Sequence, residues 1–397
     1  MLSQFYDVII VGAGPAGSYA AWELAASGYS VAVLEQRKGV GVDVCCTGII
    51  SAECFDSFGV GPEVILNRTN SAKFFSPSGR CLRLQSERIQ AYLVDRASFD
   101  QAIACKAQAK GANYLFLSRA TDIAVGKHGV RVEILHCGSK EALTARAVIL
   151  ANGFKPRLCQ KLGLGRIKHF IIGAQAEIEV KGVNEIEVYF NQRIAPGFFA
   201  WLAPVSTDKV LVGLLAASHA KLHLGRFLLS HSWRCGLINR EIKIKQKAIP
   251  LGALPHSYGD RVLVIGDAAG QVKPTTGGGI YFGHLGAKIA AEVLSEALKS
   301  DDLSAARLSC YQRQWRAKMG KEISRGRWAR RVYTKLSNRQ VERIFSVLDS
   351  GGVARALLNS PDFSFDWHSE LILAALRYTL TYPLRKAWHL LPWEVDS

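Results

Sequence analysis

The sequence predicts an α/β fold in three parts: a Rossmann-type nucleotide-binding domain, an inserted antiparallel β-sheet domain and a helical C-terminal region. Three observations support this prediction. The chain opens on a strand–turn–helix–strand pattern, period-two apolar alternation dominates 168–254, and basic helical sequence follows residue 300. The expected ranges are 1–70, 93–167 and 255–300 for the first domain, 71–92 and 168–254 for the sheet domain, and 301–397 for the helical region.

The composition is that of a large folded protein with a basic surface. Its 397 residues correspond to two or three domains of about 150 residues each. With 49% hydrophobic and 21% charged residues the chain can bury a sizeable core, which excludes a disordered or collagen-like protein. The net charge of +17 favours a negatively charged partner surface, either nucleic acid or anionic lipid.

Cysteine usage and the lack of a targeting pattern bear on the compartment. The nine cysteines include no Cys-x-x-Cys pair, so we expect reduced thiols in a cytoplasmic protein, with no disulfide framework and no metal site. The first apolar run follows Asp7 rather than a basic segment. No run approaches the length of about 18 apolar residues that a membrane span needs. We therefore expect a protein that does not cross a membrane, although it can lie on one.

The strongest motif is the glycine turn near the start of the chain. Gly12, Gly14 and Gly17 form Gly-x-Gly-x-x-Gly between an apolar strand and an alanine-rich helix, and Glu35 ends the next strand. The first glycine permits the tight turn, the second lets a pyrophosphate approach the backbone, and the third lets helix and strand pack closely. The helix N-terminus then faces the phosphates, and Glu35 can bind the adenosine ribose. The motif predicts a dinucleotide site.

A second glycine-rich stretch indicates which dinucleotide binds. Residues 261–280 read as a buried strand, a turn at Gly266-Asp267 and a triple glycine, Gly277–Gly279, that opens a helix over 280–298. Asp267 at a strand end can bind a ribityl hydroxyl, and the glycines let the backbone approach a flat ring. An NAD dehydrogenase needs no such distal element. The two stretches together predict FAD.

These motifs resemble the FAD-dependent oxidoreductases with the p-hydroxybenzoate hydroxylase fold, and among them the geranylgeranyl reductase family. The similarity covers about residues 5–300 and includes "VDRASFD" (94–100) and "TTGGGI" (275–280). The family's cysteine loop is matched by "CCTGII" (45–50). Its YxWxFP motif is matched in part at 199–204, where Phe199 replaces Tyr and Ala203 replaces Phe, so the exact substrate stays open.

The resemblance implies a role for individual residues. Ala16 and Glu35 would contact the ADP half of FAD, Ala120 would lie near the adenine, and Cys46 would share the loop beside the flavin ring. The cofactor-binding residues predicted in this way are Gly12, Gly14, Ala16, Gly17, Glu35, Arg37, Cys45, Gly48, Arg96, Ala120, Asp267, Gly279 and Ile280. The predicted catalytic residues are Cys45, Cys46, Trp201 and Phe199.

The source of electrons stays open between two donors. The chain has no second Gly-x-Gly-x-x-Gly motif, so NAD(P)H would have to dock transiently in the flavin cleft. A ferredoxin-like protein is the other candidate, because the basic surface would suit an acidic donor. Asn152 stands where hydroxylase relatives carry Asp, and its amide can form hydrogen bonds to a nicotinamide cofactor but brings no charge.

The middle of the chain is predicted to form the substrate side of the cleft. We expect a hairpin at 70–92, a helix at 97–110, strands within 120–150, and a helix near 222–235. Further strands are expected at 185–190, 209–216 and 241–249. If 199–204 is a strand, Phe199 and Trp201 share one face, where they either line a pocket for an apolar chain or pack into the sheet core.

The C-terminal region is predicted to be helical and basic. Residues 305–345 carry twelve Lys and Arg against two acidic residues, and 367–393 contains five Trp and Tyr residues. This pattern fits helices lying on an anionic membrane surface, and it also fits a solvated basic face of an ordinary helical domain. Nucleic acid is disfavoured because no nucleic-acid-binding motif accompanies the charge.

The function that these features predict is FAD-dependent reduction of carbon–carbon double bonds. The substrate would be a geranylgeranyl-type chain on a diphosphate, a lipid or a quinone, with hydride from reduced flavin. Cys45 is the first candidate for the residue near the reacting bond and Cys46 the second, although both thiols can also merely pack against the ring. His284 is a weaker acid–base candidate. The alternatives are a flavin monooxygenase of the same fold and a non-catalytic electron-transfer flavoprotein docked at a membrane.

Overall fold

The computed structural model describes residues 5–180, 182–231, 242–350, 354 and 364–369. The strands are β1 (Phe5–Val11), β2 (Val31–Leu34), β3 (Ile49–Ser51), β4 (Ile65–Thr69), β5 (Ser71–Phe75), β6 (Cys81–Gln85), β7 (Ala91–Val94), β8 (Asn113–Leu115), β9 (Ser118–Gly126), β10 (Gly129–His136), β11 (Ser139–Leu150), β12 (Phe170–Glu179), β13 (Ile186–Tyr189), β14 (Ala200–Pro204), β15 (Lys209–Ala216), β16 (Lys245–Pro250), β17 (Tyr258–Gly259) and β18 (Val262–Val264). The helices are α1 (Pro15–Ala26), α2 (Ala52–Phe58), α3 (Arg96–Ala109), α4 (Arg157–Lys161), α5 (Ala220–Ser230), α6 (Ile280–Lys299), α7 (Ala305–Trp315), α8 (Lys321–Tyr333) and α9 (Asn338–Asp349).

The first sheet carries the glycine turn. Its order is β17-β18-β11-β1-β2-β8, with β10 and β9 continuing from β11. β1 lies parallel to both β2 and β11, and α1 follows it directly through the turn. The predicted strand–turn–helix–strand unit is confirmed. Because β1 and β2 are buried on both faces, as their nearly continuous apolar sequence predicts, helices must cover the sheet.

The second sheet faces the glycine turns. Its order is β16-β12-β15-β14-β13-β5-β6, so the hairpin expected at 70–92 contributes β5 and β6 to it. The sheet is antiparallel, as predicted, except where β5 pairs with β13 in parallel. β5 enters from a distant part of the chain rather than through a tight turn, which frees its direction. The domain boundaries given above stay a prediction.

The observed elements differ from the predicted ones mainly at their ends. The strand predicted at 209–216 and the helices predicted at 97–110 and 280–298 are confirmed to within one residue. The strand predicted at 241–249 begins only at Lys245, and the helix near 222–235 spans Ala220–Ser230. Residues 232–241 lie outside the described part of the chain.

The helices after residue 300 continue the core of the first domain. Tyr311 and Trp315 on α7 are fully buried. The Tyr311 hydroxyl donates to the Val264 carbonyl oxygen (2.8 Å), and the Trp315 indole donates to the Ser257 hydroxyl (2.9 Å). A helical region is therefore confirmed, and buried hydrogen bonds anchor α7 to β18 and to the residue before β17.

Two features of this region bear on membranes. Within the described residues, no helix combines the length and the apolar character needed to span a bilayer. Most of the aromatic tail at 367–393 lies outside the described part of the chain, since the structure describes only 364–369 there.

Candidate active site

A cavity of about 1470 Å³ lies between the glycine turns and the second sheet. Residues of the glycine turn and the triple glycine line one side, and side chains of β13, β14 and β16 line the other. Pockets for single small ligands usually measure about 300–1,000 Å³. The cavity is therefore large enough for more than one ligand.

The glycine turn leaves a cradle in this cavity. Gly12 has a φ of +110°, and a Cβ on it would lie 2.5 Å from the Ala151 carbonyl oxygen, so protein packing requires this glycine. A Cβ on Gly14 would meet no protein atom within 4 Å. Gly14 also lines the cavity and precedes the first residue of α1. The open space at the helix N-terminus suits a pyrophosphate.

Glu35 lies next to this cradle. One carboxylate oxygen accepts the backbone N–H of Ala13 (3.2 Å) and the other accepts the backbone N–H of Arg37 (2.8 Å). Arg37 itself pairs with Asp43 in an exposed ion pair (2.6 Å). Ala120 lines the same end of the cavity, and the buried Oδ1 atom of Asn152 has no hydrogen-bond partner among the described residues. These residues fit the adenosine half of a dinucleotide.

Asp267 faces the second sheet across the cavity. Its carboxylate pairs with the Lys247 ammonium on β16 (2.8 Å), and this pairing raises the pKa of Lys247. A Cβ on Gly279 would lie 2.6 Å from the Asp267 Oδ1 atom. Gly279 therefore has to be glycine for Asp267 to sit there. Ile280 begins α6 at the same wall of the cavity.

The cysteine loop joins the two sides of the cavity. Cys45, Cys46 and Gly48 all line it, and a Cβ on Gly48, where φ is +79°, would overlap the Val94 carbonyl oxygen. Burial raises the pKa of the Cys45 thiol, which keeps it protonated at neutral pH. Arg96 forms a two-point ion pair with Asp100 (3.0 and 2.9 Å).

The second sheet fixes this loop through contacts that the sequence did not predict. The Thr47 hydroxyl donates to the Gln175 side-chain oxygen (2.8 Å), and the Gln175 amide donates to the Cys46 carbonyl (3.4 Å). Lys245 donates to the Val44 carbonyl (3.2 Å). Because these partners lie about 130 to 200 residues apart in the sequence, no local motif reports them.

The aromatic segment forms the apolar part of the cavity. Phe199 and Trp201 both line it with ring centroids 6.1 Å apart, and Phe199 precedes the first residue of β14. Ala200 and Leu202 are buried in the core on the other face, as the strand alternation predicts. Phe198, which precedes the strand, was predicted on that face as well but is buried in the same cluster as Phe199 and Trp201. A Cβ on Gly213 of β15 would overlap the Trp201 ring, so this glycine makes room for the indole.

Helix α9 closes the apolar part from the other side. Val341, Ile344, Phe345 and Leu348 recur at helical spacing and line the cavity. Phe345 also contacts Phe190 of the sheet side, with ring centroids 5.8 Å apart. The slot between β14 and α9 suits a flexible hydrocarbon chain.

The histidines on α6 and around the start of α5 lie outside this site. His284 is buried against Tyr19 and Phe58, with ring centroids 4.2 and 4.5 Å apart, and burial lowers its pKa to about 4. It does not line the cavity. The structure therefore does not support an acid–base role for His284. His219 and His223 lie at the start of α5, also off the cavity wall.

Sequence comparisons relate the chain to known reductases. Residues 6–187 match the pyridine nucleotide-disulphide oxidoreductase family. The chain is 31% identical over 364 residues to a digeranylgeranylglycerophospholipid reductase of Methanocaldococcus jannaschii, covering 87% of this chain and 91% of that protein. It is 30% identical over 367 residues to digeranylgeranylglycerophospholipid reductase 2 of Methanothermobacter thermautotrophicus, covering 87% and 92%.

A solved structure gives the same relation at the level of fold. A geranylgeranyl bacteriochlorophyll reductase-like protein from Thermoplasma acidophilum superposes with a TM-score of 0.84, covering 98% of this chain and 100% of the other. The two sequences are 23% identical. Because the superposition covers nearly the whole chain, it confirms the predicted fold class.

Proposed function

We propose that this chain, which belongs to the geranylgeranyl reductase family of FAD-dependent oxidoreductases, saturates carbon–carbon double bonds in a polyprenyl chain. The observation that carries the proposal is a single cavity that joins the glycine turns to an apolar slot. Relatives named digeranylgeranylglycerophospholipid reductases support a geranylgeranyl chain on a glycerophospholipid as the substrate. A diphosphate or a quinone carrying the same chain would present the same alkenes to the slot.

FAD is the cofactor, and the cavity offers residues that fit each of its parts. Gly14 leaves space for the pyrophosphate, Glu35 would bind the adenosine ribose, and Asp267 would bind a ribityl hydroxyl. Gly279 and Ile280 would lie against the flavin ring, and the cysteine loop would lie beside it. When bound and reduced, FAD supplies the hydride that one alkene carbon receives.

The chain's own residues would position the alkene and exclude water. An isolated alkene is a poor electrophile, so close placement of the reacting carbon must supply much of the rate. Phe199 and Trp201 would hold the hydrocarbon on one side and Phe345 on the other. The second alkene carbon needs a proton. Cys45, whose raised pKa keeps the thiol protonated, is the first candidate to hold that proton, and Cys46 is the second.

The electron donor is proposed to be NAD(P)H or a ferredoxin-like protein. Exposed basic residues line the glycine-turn end of the cavity: Arg37, Arg119, Lys155 and Arg157. Such a rim would attract either the phosphates of a nicotinamide cofactor or an acidic protein surface. Stopped-flow reduction of the bound flavin by each donor at two salt concentrations distinguishes them.

Contact with an anionic membrane surface is proposed to occur through α8. Trp328 and Val332 on this helix are 50% and 38% exposed. Lys321 is the first residue of this helix and Lys335 follows its end at Tyr333, and both are also exposed. An apolar pair between lysines suits the headgroup layer, where the rings enter the lipid and the ammonium groups pair with phosphates. The enzyme would then take its substrate from the membrane without crossing it.

The deciding experiment is anaerobic reduction of a geranylgeranyl glycerophospholipid by dithionite-reduced holoenzyme. The expected products are heavier by two hydrogens for each bond reduced, detected by mass spectrometry. Enzyme kept oxidised under the same conditions is the control. Unchanged prenyl chains on a lipid, a diphosphate and a quinone would refute the proposal. An oxygen-containing product formed only in air would instead identify a monooxygenase.

A further inference from the structure

A short segment near the C-terminus forms part of the cavity wall. Of residues 364–369, four line the cavity: Ser364, Phe365, Asp366 and His368. We call this segment the strap. Trp367 of the strap packs on Tyr281 and Phe282 at the start of α6, with ring centroids 6.1 and 5.3 Å apart. The strap therefore covers the same wall that the triple glycine begins.

One ion pair ties the strap to the triple glycine. The Lys273 ammonium donates to the Asp366 carboxylate (2.6 Å), and the two side chains are only 7% and 3% exposed. The Lys273 backbone N–H donates to the Gly278 carbonyl (3.0 Å), and the Gly277 N–H donates to the Lys273 carbonyl (2.8 Å). Lys273 thus holds the glycine turn with its backbone and the strap with its side chain.

Other polar contacts fix the rest of the strap. Buried Glu322 of α8 accepts the backbone N–H groups of His368 (2.8 Å) and Ser369 (3.0 Å). The His368 ring bonds to the Thr275 hydroxyl (2.6 Å) and to the Phe365 carbonyl (2.8 Å). Burial lowers the pKa of His368 to about 4, so the ring is neutral and can accept from one partner while it donates to the other.

Packing alone does not require a buried ion pair at this position. Apolar side chains of similar size would fill the space around Lys273 and Asp366 without the cost of desolvating two charges. A buried pair, in contrast, tolerates only one docking geometry, because a displaced strap would leave both charges unpaired. The second carboxylate oxygen of Asp366 has no partner among the described residues, so the lysine is the contact that holds it.

We propose that Lys273 and Asp366 are positioning residues that keep the strap closed over the flavin side of the cavity, and that the closed strap shields reduced flavin from oxygen. The inference rests on the proposed function, because Gly277–Gly279 are the residues that would hold the flavin ring. Oxygen is a competitor of the alkene: it takes two electrons and two protons from reduced flavin, which becomes oxidised while oxygen becomes hydrogen peroxide. A reductase that excludes oxygen delivers those electrons to its substrate instead.

Cys54 gives a readout that needs neither flavin nor turnover. This cysteine on α2 is 1% exposed and lines the cavity. Burial raises the pKa of its thiol, and the Asp366 carboxylate raises it further while Lys273 lowers it, which places the thiol near the pair. Removing the lysine charge alone would make the thiol less reactive. Faster labelling of Cys54 in a lysine variant would therefore report opening rather than electrostatics.

The test compares Lys273→Met with the parent in cofactor-free protein. We expect a small uncharged thiol reagent to label Cys54 about tenfold faster or more in the variant, followed residue by residue with mass spectrometry. Bound FAD should also dissociate faster, and the reduced holoenzyme should form peroxide faster in air. The control is Lys161→Met, which breaks an exposed ion pair with Asp122 (2.7 Å) away from the cavity and should label like the parent.

Two further variants test whether the loss of the ion pair, rather than misfolding, causes the faster labelling. Lys273→Met/Asp366→Leu replaces the ion pair with an apolar pair, and labelling should return to near the parent rate. If Lys273→Met does not fold, Asp366→Asn takes its place, with faster labelling expected because the charge pair is lost. A folded variant without the pair that labels Cys54 within about twofold of the parent overturns the inference. If labelling of Cys54 is faster in the variant but the enzyme reduces no alkene, the inference about the strap is supported and the proposed function is refuted.

Discussion

At Gly14, the requirement for glycine comes from cofactor binding and not from protein packing. Its backbone φ of −70° is ordinary, and a Cβ there meets only open space. Gly12, two residues earlier, would collide with the Ala151 carbonyl oxygen if it carried a side chain. The same motif thus contains one glycine that the fold requires and one that only a ligand would require.

Replacing Gly14 with leucine should therefore abolish FAD binding and spare the fold. The side chain would occupy the space of the pyrophosphate, and we expect a loss of about 3 kcal/mol or more, over a hundredfold in Kd. Titration of cofactor-free protein with FAD measures this, and thermal unfolding of the same protein should match the parent. Gly12→Ala is the matched control, expected to lower the unfolding temperature as well. Parent-like FAD affinity in Gly14→Leu would contradict the assignment.

Replacing Trp201 should impair turnover of the substrate more than binding of the cofactor. Trp201→Ala removes one wall of the apolar slot while the glycine turns stay intact. We expect kcat/KM for a geranylgeranyl lipid to fall about tenfold or more, because lost packing on the chain loosens the reacting carbon. The Kd for FAD, measured by the same titration, should stay near that of the parent. Equal losses in both quantities would show that Trp201 supports the fold instead.

The role of Cys45 can be separated from its packing. If its protonated thiol supplies the proton, Cys45→Ala should lower kcat by about a hundredfold, within the usual range for a general acid. FAD affinity should change little, because the loop is held by Gln175 and Lys245 rather than by the thiol. Single-turnover reduction of the alkene under anaerobic conditions is the measurement, with Cys81→Ala, an exposed cysteine, as the control. Full activity of Cys45→Ala would show that Cys45 only packs against the cofactor, and Cys46 would then be the candidate proton donor.

At the scale of elements, a helix, strand or contact could be predicted from the sequence only where neighbouring residues determine it. The glycine turns, α1 and α6 could be predicted because a few adjacent residues determine them. The parallel pairing of β5 with β13 and the contacts of Gln175 with the cysteine loop could not, since each joins residues more than a hundred positions apart. The aromatic segment has two possible interpretations in the sequence for a related reason. Whether Trp201 lines a cavity or packs in the sheet core depends on elements distant in sequence, such as α9, that lie opposite it.

Helix α8 is the element through which membrane binding can be tested. Removing the charges of Lys321 and Lys335 by Lys→Gln changes should weaken binding to anionic vesicles by about 2 kcal/mol, since each basic residue near the surface contributes about 1 kcal/mol. That corresponds to roughly thirtyfold in the partition coefficient. Sedimentation with vesicles containing anionic lipid measures it, and added salt should weaken binding of the parent.

A matched charge change should leave this binding intact. Lys127, on the turn between β9 and β10, and Lys140, near the start of β11, are exposed lysines of the first sheet. Their double Lys→Gln variant carries the same net charge as the α8 double variant. If both double variants bind vesicles equally, the whole-protein charge attracts the membrane and α8 has no special part. Binding of the parent that depends neither on lipid charge nor on salt would remove the membrane proposal.

At the scale of the whole molecule, the two larger sheets face each other across the cavity, and ion pairs and hydrogen bonds join the two sides. Lys247 with Asp267 and Gln175 with the cysteine loop bridge them across the cavity. Lys273 with Asp366 closes the same cavity with the strap. These partners lie 20, 93 and 128 positions apart in the sequence. In the sequence alone, a single Lys or Gln at such a position looks like a residue exposed to solvent. The sequence therefore predicts the cofactor turns and the family, but not the polar contacts that assemble the cavity.

The two buried histidines lower the stability of the folded protein in mild acid. Burial lowers the pKa values of His284 and His368 to about 4 in the folded protein, whereas in the unfolded chain they titrate near 6.5. Between these values the unfolded state binds more protons, so stability rises with pH and is lost as pH falls from 6.5 toward 4. Each histidine contributes at most about 1.4 kcal/mol per pH unit in that window. Carboxylates with lowered pKa values, such as Glu185, lose their stabilising effect only below their unfolded pKa of about 4.5.

His284→Phe should therefore flatten this pH dependence. The phenyl ring can take the imidazole's place between Tyr19 and Phe58 but binds no proton. Denaturant unfolding at pH 7.0, 6.0 and 5.0 should show the parent losing stability faster than the variant, so that the difference between them shifts toward the variant as pH falls. His128→Phe, on an exposed turn, is the control and should follow the parent slope. Parallel pH curves for the parent and His284→Phe would mean that His284 gains its proton in the folded protein as readily as in the unfolded chain.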